Sequence, residues 1–467
     1  MIIMKFGGTS LQDADCIRRA VHIVAQHRDQ RPVVVVSAIG TTTRTLLRVC
    51  EVALADGAET AGGQLEELAG HHRAILADLG IEQRAQASAW NAMARYLDDI
   101  GQLLQGISLL HQLTPRTEDA IIAHGERFST LLFAAAARDA DLDVAPVDAA
   151  TVMITDSRFR MARPDRAELN ARARATILPL VEQGRIPLIE GFIGATRNGV
   201  PTTLGFEASD YTASLLGAAL DASEIQIWTD VGGMLTSGDS RVENVMSIRQ
   251  LSFDEAAELS FFGAKVLHPS TIEPAVEKNI RIRILHSRYP DGCGTTIFAA
   301  PESAGVAVKS IAVKEDIIVV NLRPHQPVPI HRTTWSVGEA LDRHAVSAHL
   351  MASSGSRVVL ALDVNQQLDH LLQELGETFE VSPTENCVIV SVVGEDIGRT
   401  PGVVTRAASV LEHIPLLMVS YGASDSSASF VVSKDDVDEV VMMLHRELFG
   451  ESTPSDIFVP TEAKAIS

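Results

Sequence analysis

MIIMKFGGTSLQDADCIRRAVHIVAQH, residues 1–27, passes from an apolar run through a glycine pair into a segment with amphipathic helical spacing. The pattern predicts a strand, a tight turn and a helix. Gly7 and Gly8 would let the backbone approach a phosphate closely, and Lys5 would set a compact positive charge beside it. The lysine precedes the glycines, so this is not a Walker loop. Taken alone, a KxGG turn is more often a plain strand-to-helix connection. The rest of the chain has to decide between the two.

The same rhythm continues outward from this stretch. Apolar runs at Val33 to Ser37, Ile186 to Phe192 and Ile225 to Thr229 alternate with helical patterning such as Arg44 to Ala55. That alternation predicts an α/β fold with a mostly parallel sheet covered by helices. Residues 62–112 lack a strand pattern and predict a helical insert beside the sheet. At 467 residues the chain exceeds one ordinary core, and two or three domains are expected.

Composition narrows the class of function. Asp and Glu total 60 against 39 Lys and Arg, a formal charge of -21, so nucleic acid or an anionic membrane would be repelled. Cys16, Cys50, Cys293 and Cys387 form no CxxC pair and no disulfide framework, and buried thiols are expected. The first ten residues lack the pattern of a leader, and no stretch reaches the roughly 18 apolar residues of a membrane span. A cytoplasmic location follows as an expectation.

Beyond about Pro301 the chain changes to shorter strands and smaller helices. EALDRHAVSAHLMASSGSRVVLALD, from Glu339, echoes SVLEHIPLLMVSYGASDSSASFVVS, from Ser409, with Leu341 and Leu411 in matching places. Each copy runs helix, strand, polar turn, strand, with a further helix at Leu368 to Leu375 and at Val437 to Leu448. Two βαββαβ modules of about 70 residues are the economical reading. The residues from Gly450 onward carry too little apolar pattern to predict structure.

Three further segments carry candidate chemistry. TTLGFEASDYTASLLGAAL, from Thr202, becomes helical near Tyr211, with Ser209 expected as its cap and Asp210 in its first turn. WTDVGGMLTSGDSRV, from Trp228, is a strand leaving into a glycine-bearing loop, where ligands of open α/β sheets gather. FFGAKVLHPSTIEPA, from Phe261, presents Lys265 among apolar and small residues.

Together these segments resemble the aspartate kinases of the amino-acid kinase superfamily over nearly the whole chain. KFGGTS matches the opening signature, SAIGTTTRTLL from Ser37 the serine and threonine loop, and HGERFSTLLF from His124 the HGE segment. GFIGATRNGVPTTLG, WTDV and FGAKVLHP follow in the family's order. SYGASDSSASFVV and LHRELF resemble the lysine-sensitive members, whose C-terminal halves carry two ACT modules. The resemblance implies transfer of the ATP γ-phosphoryl group to the side-chain carboxylate of aspartate, with ATP and Mg2+ as cofactors. It implies catalytic roles for Lys5 and Asp210. Lys5, Phe6, Gly7, Gly8, Thr229, Asp230, Arg241, Lys265 and Val266 fall at nucleotide positions. Ser37, Thr43, Glu126, Phe206, Glu207, Ala208 and Ser209 fall at substrate positions, Glu126 being suited to the substrate ammonium. An effector such as lysine or threonine would meet Ser347, Ala348, His349 and Ser354. The expected order is a kinase domain at 1–303, ACT modules at 304–383 and 384–449, and a tail at 450–467, in a homodimer or larger oligomer held through the ACT modules.

The chain departs from that pattern at informative places. It reads TLGFEASD where the family reads TLGRGGSD, so Phe206 replaces an arginine that would grip the substrate carboxylate. Arg160 and Arg197 lie in segments that could supply a substitute cation. Leu235 stands at a tyrosine position of the nucleotide loop, and GDSR replaces DPR. In SAHLM, His349 stands where lysine-sensitive relatives place an aspartate. Two other readings therefore stay open: the same chemistry on another carboxylate acceptor, and a catalytically silent amino-acid sensor.

Overall fold

The structure, a computed structural model, describes residues 1–205, 208–238, 241–242, 244–263, 269–299, 307–450 and 457–460. Among them, residues 1–233 and 269–299 form one compact unit, and residues 234–263 with 307–460 form a second.

The first unit is built on a sheet whose strands are β1 (Ile2–Phe6), β2 (Pro32–Val36), β3 (Val144–Val147), β4 (Ile186–Glu190), β5 (Glu224–Thr229), β6 (Arg281–His286) and β7 (Thr295–Phe298). They lie in the order β7-β6-β5-β1-β2-β4-β3, parallel throughout except for β7 against β6. Every residue of β1, β2 and β4 is buried, as expected for strands covered on both faces. From β1 the chain moves to β2 on one side and returns later to β5 on the other. The carboxyl ends of β1, β2 and β5 therefore surround a switch point, where open α/β sheets bind ligands.

The predicted helical insert is two helices, Ala58–Asp78 and Gln83–Leu110. The helix after the KxGG turn runs Ala14–Gln26, and Asp13 caps it by accepting the Cys16 N–H at 2.7 Å. Among the described residues no helix is long and apolar enough to cross a membrane. Cys16, Cys50 and Cys387 are buried, whereas Cys293 is exposed, contrary to expectation, because its DGCG turn leaves it outside any core strand.

The second unit carries a six-stranded antiparallel sheet: β8 (Ser310–Pro324), β9 (Ala348–Ser354), β10 (Arg357–Asp363), β11 (Phe379–Val393), β12 (Met418–Tyr421) and β13 (Ser427–Ser433). Their order is β9-β10-β8-β11-β13-β12. Helices Ile330–Arg343 and Leu368–Gly376 accompany the first sequence echo, Val403–Val410 and Val437–Phe449 the second. Ile318, Val320, Leu322, Val358, Leu360 and Leu371 close the core of the first echo.

The two echoes share their long strands. Ser310–Lys314 pairs with the end of β11, whereas Ile317–Leu322 pairs with β10 on one side and with the start of β11 on the other. Register shifts separate the halves, and Asp316 and Asn386 take positive φ of 57° and 56° there. The expected boundary between residues 383 and 384 thus falls inside β11. Residues 234–263, expected in the first domain, belong to the second unit. The fully buried pair Lys309–Glu255 at 3.0 Å and the Thr236–His445 hydrogen bond at 3.0 Å hold them there. Phe458–Pro460, in the stretch that predicted no structure, pairs as a strand with Met246–Ile248.

Candidate active site

Lys5 sits one residue before the end of β1, near the carboxyl edge of the sheet. Its Nζ lies 2.5 Å from Oδ1 of Asp210, in a side-chain pair only 10% and 12% exposed. The contact is an ion pair whose geometry is not aligned as a hydrogen bond. Asp210 belongs to the first turn of helix Ser209–Ala219, where the helix dipole also favours a carboxylate. Two elements 205 positions apart in sequence therefore meet at the switch point.

The glycine turn is built around them. Gly7 donates its N–H to the Trp228 carbonyl at 3.0 Å, and Ser10 Oγ reaches Ser287 Oγ at 2.8 Å. A Cβ on Gly8 would lie 2.7 Å from the Ala38 carbonyl oxygen, so only glycine allows this approach of the two loops. Thr229 and Asp230 leave the end of β5 beside them, with Thr229 Oγ1 donating to Asp230 at 3.1 Å.

Of the residues expected to face the acceptor, Glu126 is buried in the first turn of helix His124–Asp139. Its Oε1 accepts the Ala38 N–H at 3.1 Å, while its buried Oε2 has no hydrogen-bond partner. Burial pushes this carboxyl up to about 8. Gly125, next to it, packs on Ala38, Thr42 and Thr43. Ser37 continues β2 with its N–H on the Phe6 carbonyl at 3.1 Å.

Ser209 does not cap its helix. Ala208 occupies the N-cap with φ -78° and ψ 10°, and no side chain caps the end. Ser209 instead packs on Gly191, where a Cβ would come within 2.6 Å of the serine Cβ. Phe206, Glu207, Lys265 and Val266 lie outside the described residues. Arg241 reaches Glu315 at 2.8 Å and Asp438 at 2.6 Å in the second unit. Of the two substitute arginines, Arg160 pairs with Glu118, and Arg197 pairs with Asp165 at 2.8 Å. Carboxylates engage both.

Three residues escaped the sequence reading. His72 is wholly buried, donates Nδ1–H to the Leu68 carbonyl at 2.9 Å and offers Nε2 to Thr42 at 3.3 Å, which fixes the serine and threonine loop. Asp119, also buried, accepts from Thr203 Oγ1 at 2.7 Å and from the Arg160 N–H at 2.9 Å, tying down the chain that leads to Gly205. Glu190, at the end of β4, accepts the Ala149 N–H at 2.8 Å. A charged or polar residue in an otherwise apolar context was the available signal for each.

In the segment expected to meet an effector, His349 Nε2 lies 2.8 Å from Asp363, and its ring meets Phe261 edge-on at 5.3 Å. Ser347 and Ser354 are exposed, and Ala348 opens β9.

The chain is similar to known proteins over nearly its whole length. The Amino acid kinase family matches residues 1–286 and an ACT domain matches residues 390–448. The chain is 34% identical to the lysine-sensitive aspartokinase 3 of Escherichia coli, covering 96% of this chain and 99% of that one. It is 30% identical to the chloroplastic aspartokinase 1 of Arabidopsis thaliana, covering 98% and 82%. Its structure superposes on E. coli aspartokinase III in complex with aspartate and ADP with a TM-score of 0.85, at 32% identity and 96% and 100% coverage. The same enzyme in complex with lysine and aspartate gives a TM-score of 0.80, at 33% identity and 96% and 99% coverage. The chain belongs to the aspartokinases of the amino acid kinase family.

Proposed function

We propose that the protein phosphorylates L-aspartate on its side-chain carboxylate with ATP, giving 4-phospho-L-aspartate, the entry step to lysine, threonine and methionine. The observation that carries this reading is the Lys5–Asp210 pair at the switch point of the sheet. In the reaction a carboxylate oxygen of aspartate bonds to the γ-phosphorus while the bond to the ADP oxygen breaks. Little covalent work falls to the protein, and positioning with charge neutralisation does most of it. Lys5 would leave Asp210 partly for the transferring oxygens, with the backbone of Phe6, Gly7 and Gly8 against the phosphates. Thr229, Asp230, Arg241, Lys265 and Val266 would serve the nucleotide. Ser37, Thr43, Ala208 and Ser209 would line the acceptor side, and the unpartnered Oε2 of Glu126 would take the substrate ammonium.

Among the described residues no group of three or more His, Cys, Asp or Glu could hold a metal ion. Magnesium would come as a companion of the nucleotide phosphates, with Asp210 as a carboxylate that would face it. It would neutralise charge that Lys5 alone does not. The proposed order is a kinase region followed by two ACT modules, with residues 234–263 grouped with the second unit and the two modules sharing β8 and β11. ACT-mediated homo-oligomers, control by lysine or threonine and a cytoplasmic location complete the proposal.

A second reading has its own support. Phe206 lacks the carboxylate-gripping charge, and Arg160 and Arg197 are both engaged elsewhere. A different amino-acid carboxylate as acceptor fits that pattern. Incubation with ATP, magnesium and hydroxylamine separates the readings. Hydroxamate with aspartate alone supports the first, with another amino acid alone the second, and none with any acid would reject both in favour of a sensor.

A further inference from the structure

Asp119 joins segments that are far apart in sequence. It lies on helix Pro115–Ile122 and is wholly buried. Its Oδ2 accepts the Arg160 N–H at 2.9 Å and the Thr203 N–H at 3.0 Å, while Oδ1 accepts from Thr203 Oγ1 at 2.7 Å. The two held segments also hold each other, since the Ala162 N–H donates to the Thr203 carbonyl at 2.9 Å. Both turn sharply there. Arg160 takes φ 71°, which a residue other than glycine rarely adopts, and Gly205 takes φ 106°. A Cβ on Gly205 would lie 3.7 Å from the Arg160 carbonyl oxygen. The guanidinium of Arg160 is tied as well, to Glu118, the residue before Asp119.

These bonds hold the approach to the acceptor positions. Thr203 ends the short strand Pro201–Thr203, and Leu204 then donates its N–H to the Phe192 carbonyl at 3.0 Å. Ala208 donates its N–H to the Gly205 carbonyl at 3.3 Å, and Ser209 opens the helix that carries Asp210. The main chain of Asp119 leads instead toward Glu126. Its carbonyl accepts the Ala123 N–H at 3.1 Å, and Ala123 is the N-cap of helix His124–Asp139, with Glu126 in the first turn. We propose that Asp119 is a positioning residue for the amino-acid acceptor, fixing the entry of the chain to Ala208 and Ser209 relative to Glu126. The inference rests on the reading of Glu126, Ala208 and Ser209 as acceptor residues. A carboxylate suits the task because all three partner groups can donate to it. Asparagine would serve nearly as well, its oxygen taking the two N–H groups while its NH2 donates to the Thr203 hydroxyl, which is able to accept. Alanine would leave the two N–H groups and the hydroxyl unmatched.

Steady-state kinetics by hydroxamate formation, with each substrate varied in turn, tests the role. In D119A, KM for aspartate should rise about tenfold or more while KM for ATP stays within about twofold. D119N should stay within about threefold of the wild type for both substrates, the rescue expected when hydrogen bonds do the positioning. T203V removes only the hydroxyl and should raise KM for aspartate about threefold or more, which keeps the test decisive if D119A does not fold. A lowered urea midpoint with KM for aspartate unchanged in D119A, or in T203V where D119A does not fold, would overturn the proposal. So would equal rises for both substrates, or a D119N enzyme as impaired as D119A. E126Q separates the two levels. An unchanged KM for aspartate in E126Q would reject the acceptor reading itself, whereas a raised KM there with an unchanged one in D119A would reject the role of Asp119 alone.

Discussion

Replacing Lys5 by methionine should damage stability and catalysis by separable amounts. Across 2.5 Å, at an effective dielectric constant of about 20, the Lys5–Asp210 attraction is roughly 6 to 7 kcal/mol before desolvation is subtracted. Both side chains are nearly buried, so desolvation consumes much of that gain. Removing the lysine alone strands a buried carboxylate, at a cost of about 3–5 kcal/mol. The same ammonium would act on the transferring phosphoryl group, and losing one preorganised charge there costs about 3–4 kcal/mol, or 10²–10³ in kcat. Lys5→Met should therefore lose both quantities. The double variant Lys5→Met/Asp210→Asn should recover most of the stability and none of the rate. Hydroxamate formation reads the rate. Urea unfolding followed by the fluorescence of Trp228, which is buried and stacked on Phe6 at 6.1 Å, reads the stability next to the site. Turnover restored in the double variant, or a single variant within threefold of the wild-type kcat, would refute the assignment of Lys5.

Three further outcomes are expected. Burial holds His72 down to about 4 and His124 down to about 3, so the folded chain resists protons that the unfolded chain accepts below about 6.5. This contribution to stability should be complete above that pH and fall as pH drops from 6.5 toward 4; His72→Gln should flatten part of the slope in urea midpoints, and an unaltered slope would place the loss elsewhere. Phe206→Arg should lower KM for aspartate by about one to two orders of magnitude, the value of a charge-assisted contact; an unchanged KM would mean that another cation already grips the acceptor. His349→Asp should make activity more sensitive to lysine than the wild type, since a histidine beside Asp363 supplies no fixed negative charge. Equal inhibition curves would remove His349 from the effector reading.

The alternation of buried runs with amphipathic segments was enough to place β1, β2, β4 and β5, because strands covered on both faces leave a mostly apolar run, broken here by Lys5, Glu190 and Gln226. Pairing between distant segments leaves no such signature. The exchange of Ser310–Lys314 into the second ACT half was invisible because each half of β8 reads as an ordinary strand, and only Asp316 marks the join. Ser209 looked like a cap because its residue type favours one, but contact with Gly191 fixed it inside the helix. His72 and Asp119 were missed because their partners, Thr42 and Thr203, lie 30 and 84 residues away.

One local signal did survive and went further than its first use. A charge at the end of a buried strand must be paired, neutralised or reserved for a ligand, since leaving it bare in an apolar setting costs several kcal/mol. In IIMKF that charge is Lys5, and in IPLIE it is Glu190. The strands lie on either side of β2, parallel, with both charged ends at the carboxyl edge. Lys5 found Asp210, a partner of opposite sign. Glu190 found a backbone donor, the Ala149 N–H at 2.8 Å, and burial lifts its carboxyl to about 7. The same local signal is thus resolved in two ways, by an opposite charge at one strand end and by a backbone donor together with burial-driven neutralisation at the other.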